Sequence, residues 1–482
     1  MDKVEICPVR KYMDSPKEYY IEQIQTGCLS QFAYFIESKG EAIVIDPMLD
    51  TENILSLLKT RNAKLKYIFE THFHADFVSG HINISKKTGA EIVFGPSAIA
   101  GYKIIVAEDN QEFKIGEITI KVIHTPGHTI ESSCLLLLDK NGTEKAIFTG
   151  DTVFLGDVGR PDLAVTGNID LKTLAGYLFE SIQKIKKLSD EVIVFPGHGA
   201  GSACGKSIQI GNGDSLKNQR ERNFAFNDKL TKEEFVALAS SNLSTPPKYF
   251  FIDAQMNKEG YEDIDKMLNK TLTPLKFEEF QRLEKEKDVV VIDTRDANDS
   301  TKEFLRGTFL IPLNITYAIW CATLFKPENR IIIISSPGTE KESIVRLFRV
   351  GYYNILGYLD GGIEAIKKNE PSRLTSIEKI DYAEAKNLID ENKIELVDVR
   401  EIGEFENTGV IENSHLCPLS DFDAKINEIK NSQKSLGIYC RSGARATIAS
   451  SILKRYNINN FKWMGNFTGL VAQGAKVVKY LK

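Results

Sequence analysis

Thr71-His-Phe-His-Ala-Asp-Phe-Val-Ser-Gly-His81 is the stretch on which the reading of the first part of the chain turns. It follows a strand-like run, Tyr67–Glu70, and precedes a helical pattern over Gly80–Thr88. Three further clusters repeat the arrangement. Ile123-His-Thr-Pro-Gly-His-Thr129 follows the apolar run Ile118–Ile123. Thr149-Gly-Asp151 follows Ala146–Phe148, and Phe195-Pro-Gly-His-Gly199 follows Val192–Phe195. Each cluster sits where a strand ends in a Gly or Pro turn, the place where an α/β framework presents side chains to a shared crevice. Imidazole and carboxylate on such rigid loops are the donors a borderline metal needs. A single His after a strand is ordinarily a satisfied structural residue. Four clusters in this order point to a metal site.

Outward from that stretch, short apolar runs (Gln31–Glu37, Ala42–Asp46, Glu91–Phe94, Cys134–Leu138) alternate with helical patterns over Thr51–Leu58 and Leu171–Leu188. This predicts a layered α/β or α+β domain over residues 1–250, with the loop Ser240–Pro247 near its end. At ~100–200 residues per domain, 482 residues suggest about three domains. The 61 Lys+Arg against 66 Asp+Glu leave a net charge of −5, and 42% of residues are hydrophobic. These figures exclude a disordered chain and a large basic footprint for nucleic acid. Six of the seven His precede residue 200 and only His415 follows, which confines imidazole chemistry to the first part. The seven Cys (7, 28, 134, 204, 321, 417, 440) are odd in number and form no CxxC, so they are not a disulfide framework. The N-terminus shows no apolar leader, and the longest apolar runs are too short to span a bilayer. A soluble cytoplasmic protein with reduced thiols is expected.

The rest of the chain contains an internal repeat. Asp293-Thr-Arg295 after Val289–Ile292 matches Asp398-Val-Arg400 after Ile394–Val397. Ile311-Pro-Leu313 matches Cys417-Pro-Leu419, Ile331–Ser335 matches Leu436–Cys440, and Asp360-Gly-Gly362 matches Met464-Gly-Asn466, all at offsets of 104–106. Each copy reads as a parallel α/β domain, over 273–369 and 375–482, with Pro371–Ser376 as the linker. In the second copy, Leu436-Gly-Ile-Tyr-Cys-Arg-Ser-Gly-Ala-Arg-Ala446 places Cys440 in a loop entering a helix N-terminus. The backbone N–H groups there, with Arg441 and Arg445, stabilise a thiolate and an incoming anion. In the first copy Ser335 and Glu340 stand at the positions of Cys440 and Arg445. A hydroxyl without a base and a carboxylate facing an anion make a poor nucleophilic site.

The first part resembles the metallo-β-lactamase superfamily, whose pattern is H-x-H-x-D-H followed by a His, a bridging Asp and a last His. Here the first motif is His72-x-His74-x-Asp76-Phe77, and Phe77 stands where the family has its last motif His. That departure disfavours a two-metal hydrolytic centre. The reduced pattern resembles the persulfide dioxygenases, whose resemblance implies one Fe(II) per chain held by His72, His128 and Asp151. His74, Asp76 and His198 then orient ligands, bind the substrate thiolate, or complete a metal site. Arg160, in Gly156–Leu163, is either a partner for an anionic thiol or one half of a salt bridge. Cys204 lies six residues after His198 in a Gly-rich loop and is expected near the iron pocket, either carrying sulfane sulfur or packed as a small residue.

The second copy resembles the rhodanese sulfurtransferases, through Asp398-Val-Arg-Glu401, Glu404-Phe405, His415, Pro418-Leu419 and Gly465, with Asn466 where a second Gly is usual. The spacing Cys440-x4-Arg445 is that of rhodaneses, not the longer loop of related phosphatases. Cys440 is implied as the nucleophile, with Arg441, Gly443 and Arg445 binding sulfur or oxyanion. The whole chain thus resembles the multidomain persulfide dioxygenase–sulfurtransferases: an αββα sandwich, an inactive rhodanese-like domain and an active one. The implied partners are a low-molecular-weight thiol persulfide, O2, sulfite and thiosulfate, with no nucleic acid, no membrane, and a homo-oligomer expected. Three alternatives stay open: a glyoxalase II-type thioester hydrolase, a sulfur carrier or sensor with a regulatory first domain, and a rhodanese that makes persulfide from thiosulfate for the iron.

Overall fold

The computed structural model describes residues 18–165, 168–243 and 245–481. Cys7 and the N-terminal stretch read for a leader lie outside them. The chain forms two compact units. The first comprises residues up to Met267 together with Leu347–Tyr352; the second comprises Leu268–Arg346 and Tyr353–Lys482.

The first unit is built on two six-stranded sheets. In one, Tyr20–Thr26, Gln31–Ser38 and Glu41–Ile45 pair antiparallel, and Lys64–Phe69, Glu91–Phe94 and Ile105–Val106 continue it in parallel. In the other, Glu112–Ile115, Ile118–His124, Ser133–Leu138 and Glu144–Gly150 form an antiparallel meander. Ile193–Pro196 adds in parallel to Glu144–Gly150. The period of two decides the layers. Along Gln31–Ser38, Phe32, Tyr34 and Ile36 join one core cluster while Ala33 and Phe35 join another. Along Ser133–Leu138, Leu135 and Leu137 join the first cluster while Cys134 and Leu136 join a third. The shared cluster therefore lies between the sheets. The outer clusters hold the helices Glu52–Arg61 and His81–Thr88 on one side and Leu171–Ile185 on the other. Both faces of each sheet are covered, which is why these strands read as near-continuous apolar runs.

This unit runs past the expected end at residue 250. Helix Phe250–Glu259 belongs to it, burying Phe250, Asp253 and Asn257. No helix among the described residues is long and apolar enough to cross a membrane.

The second unit expresses the repeat as two sheets that share a four-strand order, the first with an added edge strand Pro274–Leu275. One runs Pro274–Leu275, Ile355–Leu359, Arg330–Ile334, Val289–Asp293, Phe309–Leu310. The other runs Phe461–Asn466, Ser435–Cys440, Ile394–Asp398, His415–Leu416. All the pairings are parallel. The stretch Pro371–Ser376, read as a linker, is ordered: Leu374–Thr375 pairs with Phe304–Leu305. Each central strand ends in a buried Asp–Arg fork. Arg295 grips Asp293 at 2.6 Å and donates to the Glu303 carbonyl at 2.8 Å. Arg400 grips Asp398 at 2.7 Å and donates to the Gly409 carbonyl at 2.8 Å. Its guanidinium also lies 3.8 Å over the Phe467 ring.

A buried pair of this kind is costly to break from one side. Arg400→Met leaves Asp398 charged, buried and alone, and the expected loss is about 3–5 kcal/mol. Urea unfolding followed by Trp463 fluorescence in a Trp320→Phe background measures it, and a loss below about 1 kcal/mol would show that Asp398 is solvated when its partner goes.

Candidate metal centre and sulfur-transfer loop

The parallel pairing of Glu144–Gly150 with Ile193–Pro196 carries Asp151 and His198 to one edge of the sandwich, and the Gly197 N–H bonds the Gly150 carbonyl at 2.8 Å. The Thr71 carbonyl accepts the Ser133 N–H at 2.9 Å, tying the first His motif to the second sheet. Asp46, at the end of Glu41–Ile45, fixes the rest. Its Oδ1 accepts the Thr71 N–H at 2.7 Å and its Oδ2 accepts the Thr71 hydroxyl at 2.8 Å.

That hydroxyl proton is therefore committed to Asp46. The 3.0 Å contact between Thr71 Oγ1 and His72 Nδ1 must then run the other way, with the ring N–H donating. His72 Nε2 is left as a lone pair. His128 is set likewise, its Nδ1–H donating to the Arg160 carbonyl at 2.9 Å. The two Nε2 atoms converge on Asp151 Oδ2, at 3.9 Å for His72 and 3.5 Å for His128. His72 Nε2 and Asp151 Oδ2 are buried without hydrogen-bond partners. Burial and the neighbouring His74 hold His72 well below the usual imidazole range, hence neutral. Burial would raise Asp151, but the His198 charge and hydrogen bond outweigh it and hold the carboxylate ionised. Two imidazoles and one carboxylate, each offering a ligand atom within 4.8 Å of the others and with His72 Nε2 and Asp151 Oδ2 orphaned, fit a single divalent ion with open positions.

His74 turns away from this point. Its Nε2 lies 3.0 Å from Asp46 Oδ1 and 3.4 Å from Glu70 Oε2. Burial pulls its pKa down, but Asp46, Glu70 and Asp76 carry it up to about 9. His81, beyond Glu70, is pulled down to about 3 by burial and by His74. Phe77 is fully buried, its ring 4.3 Å from that of His74. His198 bridges two carboxylates, Nδ1 to Asp151 Oδ1 and Nε2 to Asp76 Oδ2, both at 2.7 Å. Cys204 completes a second cluster with Asp76 and His198, also within 4.8 Å. Burial, then Asp76 and Asp151, push its thiol well above the ordinary range, so it stands protonated. Arg160 forks onto Asp162 at 2.6 and 2.7 Å and reaches the Ala203 carbonyl at 3.3 Å, which is the salt-bridge geometry of the two expected for it.

Asp46, Thr71, Glu70 and Asn257 were not singled out by the sequence patterns. Asn257 Nδ2 donates to the His74 and Phe77 carbonyls at 2.8 and 2.7 Å, and its Oδ1 accepts the Ser79 N–H at 2.9 Å. A signal for Asp46 existed: like Asp151, it is a carboxylate at the end of an apolar run. Asn257 carried none, being one polar residue on a helix.

In the second unit, Cys440 ends strand Ser435–Cys440 and helix Ala444–Arg455 begins four residues on. The Gly443 N–H donates to Cys440 Sγ at 3.0 Å. Gly443 has φ +94°, and a Cβ there would lie 2.6 Å from Trp463 Cζ2. Trp463 Nε1 donates to the Gly443 carbonyl at 3.1 Å and locks the loop. Arg441 is exposed at the mouth. Arg445 pairs with both Glu404 oxygens, at 2.8 Å through Nη2. At the equivalent place in the first copy stand Ser335 and Glu340, as the repeat register implies.

Residues 26–198 match the metallo-beta-lactamase superfamily, and residues 381–474 match the rhodanese-like domain. Over 188 residues the chain is 32% identical to a probable polyketide biosynthesis zinc-dependent hydrolase, PksB, of Bacillus subtilis, across 37% of this chain and 78% of that one. It is 36% identical to a hydroxyacylglutathione hydrolase of Brucella anthropi, across 31% of this chain and 53% of that one. The crystal structure of a metallo-beta-lactamase from Staphylococcus aureus is similar with a TM-score of 0.62 and 28% identity, covering 71% of this chain and 99% of that chain.

Two outcomes test the geometry. Thr71→Val removes the acceptor that fixes His72, and metal affinity by chelator competition should fall about 10–100-fold. The His74 pKa is raised from 6.5 to about 9, so its imidazolium contributes stability that is whole below pH 6.5 and fades as pH rises through about 9. In metal-free protein, the stability difference between wild type and His74→Gln should shrink over that window, and a difference flat with pH would refute the charged His74.

Proposed function

Since the chain belongs to the metallo-beta-lactamase superfamily and carries a rhodanese-like domain, we propose that it oxidises low-molecular-weight thiol persulfides to sulfite and converts that sulfite to thiosulfate. The observation that carries this reading is the separation of His72, His128 and Asp151 from His74, which leaves a three-donor centre in a chain that also holds a sulfur-transfer loop. When bound there, Fe(II) would supply open positions for the persulfide sulfur and O2 and the redox capacity for the oxidation. The residues supply the rest. Thr71 and the Arg160 carbonyl fix the imidazoles. His198 keeps Asp151 ionised, and buried walls exclude water. The first reaction balances as RSS⁻ + O2 + H2O giving RSH, SO3²⁻ and H⁺.

At the second site the Cys440 thiolate attacks the sulfane sulfur of another persulfide. The S–S bond to the carrier breaks, and the carrier leaves as thiol after taking a proton. Sulfite then attacks the outer sulfur of the Cys440 persulfide, releasing thiosulfate and restoring the thiolate. The Gly443 N–H and the N-terminus of Ala444–Arg455 stabilise the negative sulfur at each stage. A reducing, cytoplasmic setting suits this chemistry.

The coupling has a direct test. Cys440→Ser should keep O2 uptake with persulfide while sulfite replaces thiosulfate as the product. Thiosulfate at the wild-type rate would sink the coupling. A second reading, a zinc-dependent thioester hydrolase, is favoured by the similarity to the Bacillus zinc-dependent hydrolase. Metal analysis with O2 uptake separates the two: zinc-loaded protein that cleaves thioesters and takes up no O2 would establish the hydrolase.

A further inference from the structure

We propose that Leu347–Tyr352, which by sequence lies in the first repeat copy, is a working part of the first unit's metal and substrate site, with Arg349 as the positioning residue that brackets the loop carrying Asp76. This rests on the reading of that site as one for thiol persulfides.

The segment clusters with the first unit, not with the repeat it follows in sequence. Its hold is a bracket on the metal motif. The Arg349 carbonyl accepts the N–H of Val78, two residues after Asp76, at 2.8 Å. The Arg349 guanidinium forks onto Asp50 at 2.8 and 2.9 Å. Asp50 continues the turn in which Pro47 accepts from both Ser79 Oγ and the Gly80 N–H, and Met48 bridges to Ser79. The segment thus ties the Pro47–Asp50 turn and the Asp76–Gly80 loop from one side, while Asn257 holds the same loop from the other.

Beyond Arg349 the segment reaches toward the chemistry. A Cβ on Gly351 would lie 2.5 Å from Asp253 Oδ1, so the backbone passes directly over that carboxyl group. Asp253 is fully buried and neither of its oxygens has a hydrogen-bond partner; Asp76 Oδ1 is likewise orphaned. Burial and Asp76 keep Asp253 in the acid form. Tyr249 and Tyr352 are both buried. Gly351 thus lies over the helix Phe250–Glu259 that also carries Asn257, so the segment and that helix close on the Asp76–Gly80 loop together.

The test uses the full chain with Arg349→Met and Arg349→Lys. In metal-free protein, amide hydrogen exchange over residues 76–80 should speed up about tenfold in Arg349→Met, and less in Arg349→Lys. In cobalt-loaded protein, glutathione or cysteine is titrated against the ligand-field bands. The dissociation constant should rise about fivefold in Arg349→Met at unchanged cobalt stoichiometry. Sulfur transfer from thiosulfate to cyanide at Cys440 should stay at the wild-type rate. Wild-type exchange and wild-type thiol affinity in folded Arg349→Met overturn the proposal. Failure of both thiols to shift the cobalt bands of the wild type overturns the persulfide reading instead, and the exchange arm still decides the bracket.

Discussion

Asp46 is the carboxylate on which the first unit's chemistry depends. It spends one oxygen on the Thr71 hydroxyl and the other on the Thr71 N–H and His74. The first bond fixes which nitrogen of His72 keeps its lone pair. The last draws His74 away from the His72–His128–Asp151 point and, with Glu70 and Asp76, raises its pKa to about 9. One buried side chain thereby sends the two histidines of the motif to different clusters. The cost shows in its backbone: Asp46 sits at φ +48°, a strained conformation for a residue with a Cβ.

Much of this was legible in the chain. The strand-end clusters at His72, His128, Asp151 and His198 do meet, because period-two apolar runs fix the sheets and the sheets fix their ends. The repeat register, too, was visible as spaced Asp-x-Arg and Pro-Leu pairs, and it appears as two sheets that share a four-strand order. What the sequence could not yield was the direction of side chains. His72 and His74 stand two apart and look alike; only Asp46 and Glu70, from before the motif, distinguish them. Arg160 and Asp162 are separated by one residue, so their pairing was one option of two until the fork was seen. Asn257 and the Leu347–Tyr352 segment lie far along the chain, and no local pattern foretells a brace from such a distance.

The two thiols of interest sit in opposite fields. Cys440 receives a backbone N–H at the start of a helix, next to cationic side chains. Cys204 is buried beside Asp76, Asp151 and His198. The first setting offers an N–H donor to sulfur and suits exchange of sulfur between anions. The second favours a protonated, weakly nucleophilic group, and sulfur reaching it would meet a site that disfavours a second negative charge. The same element occupies two roles because the surrounding charges differ, not because the residues do.

The His72–His128–Asp151 centre has a thermodynamic consequence beyond catalysis. Metal sites commonly release protons as they fill, since their ligands must first be deprotonated. Here His72 is held neutral and Asp151 ionised by their own surroundings, so filling the centre displaces few protons from them near neutral pH. The preparation is carried by the fold instead, as lone pairs buried without partners. An ion that satisfies them binds the native chain and not the unfolded one, and by mass action it is also a folding ligand. The metal supply in the cell would then set how much of this protein persists as well as how much of it is active.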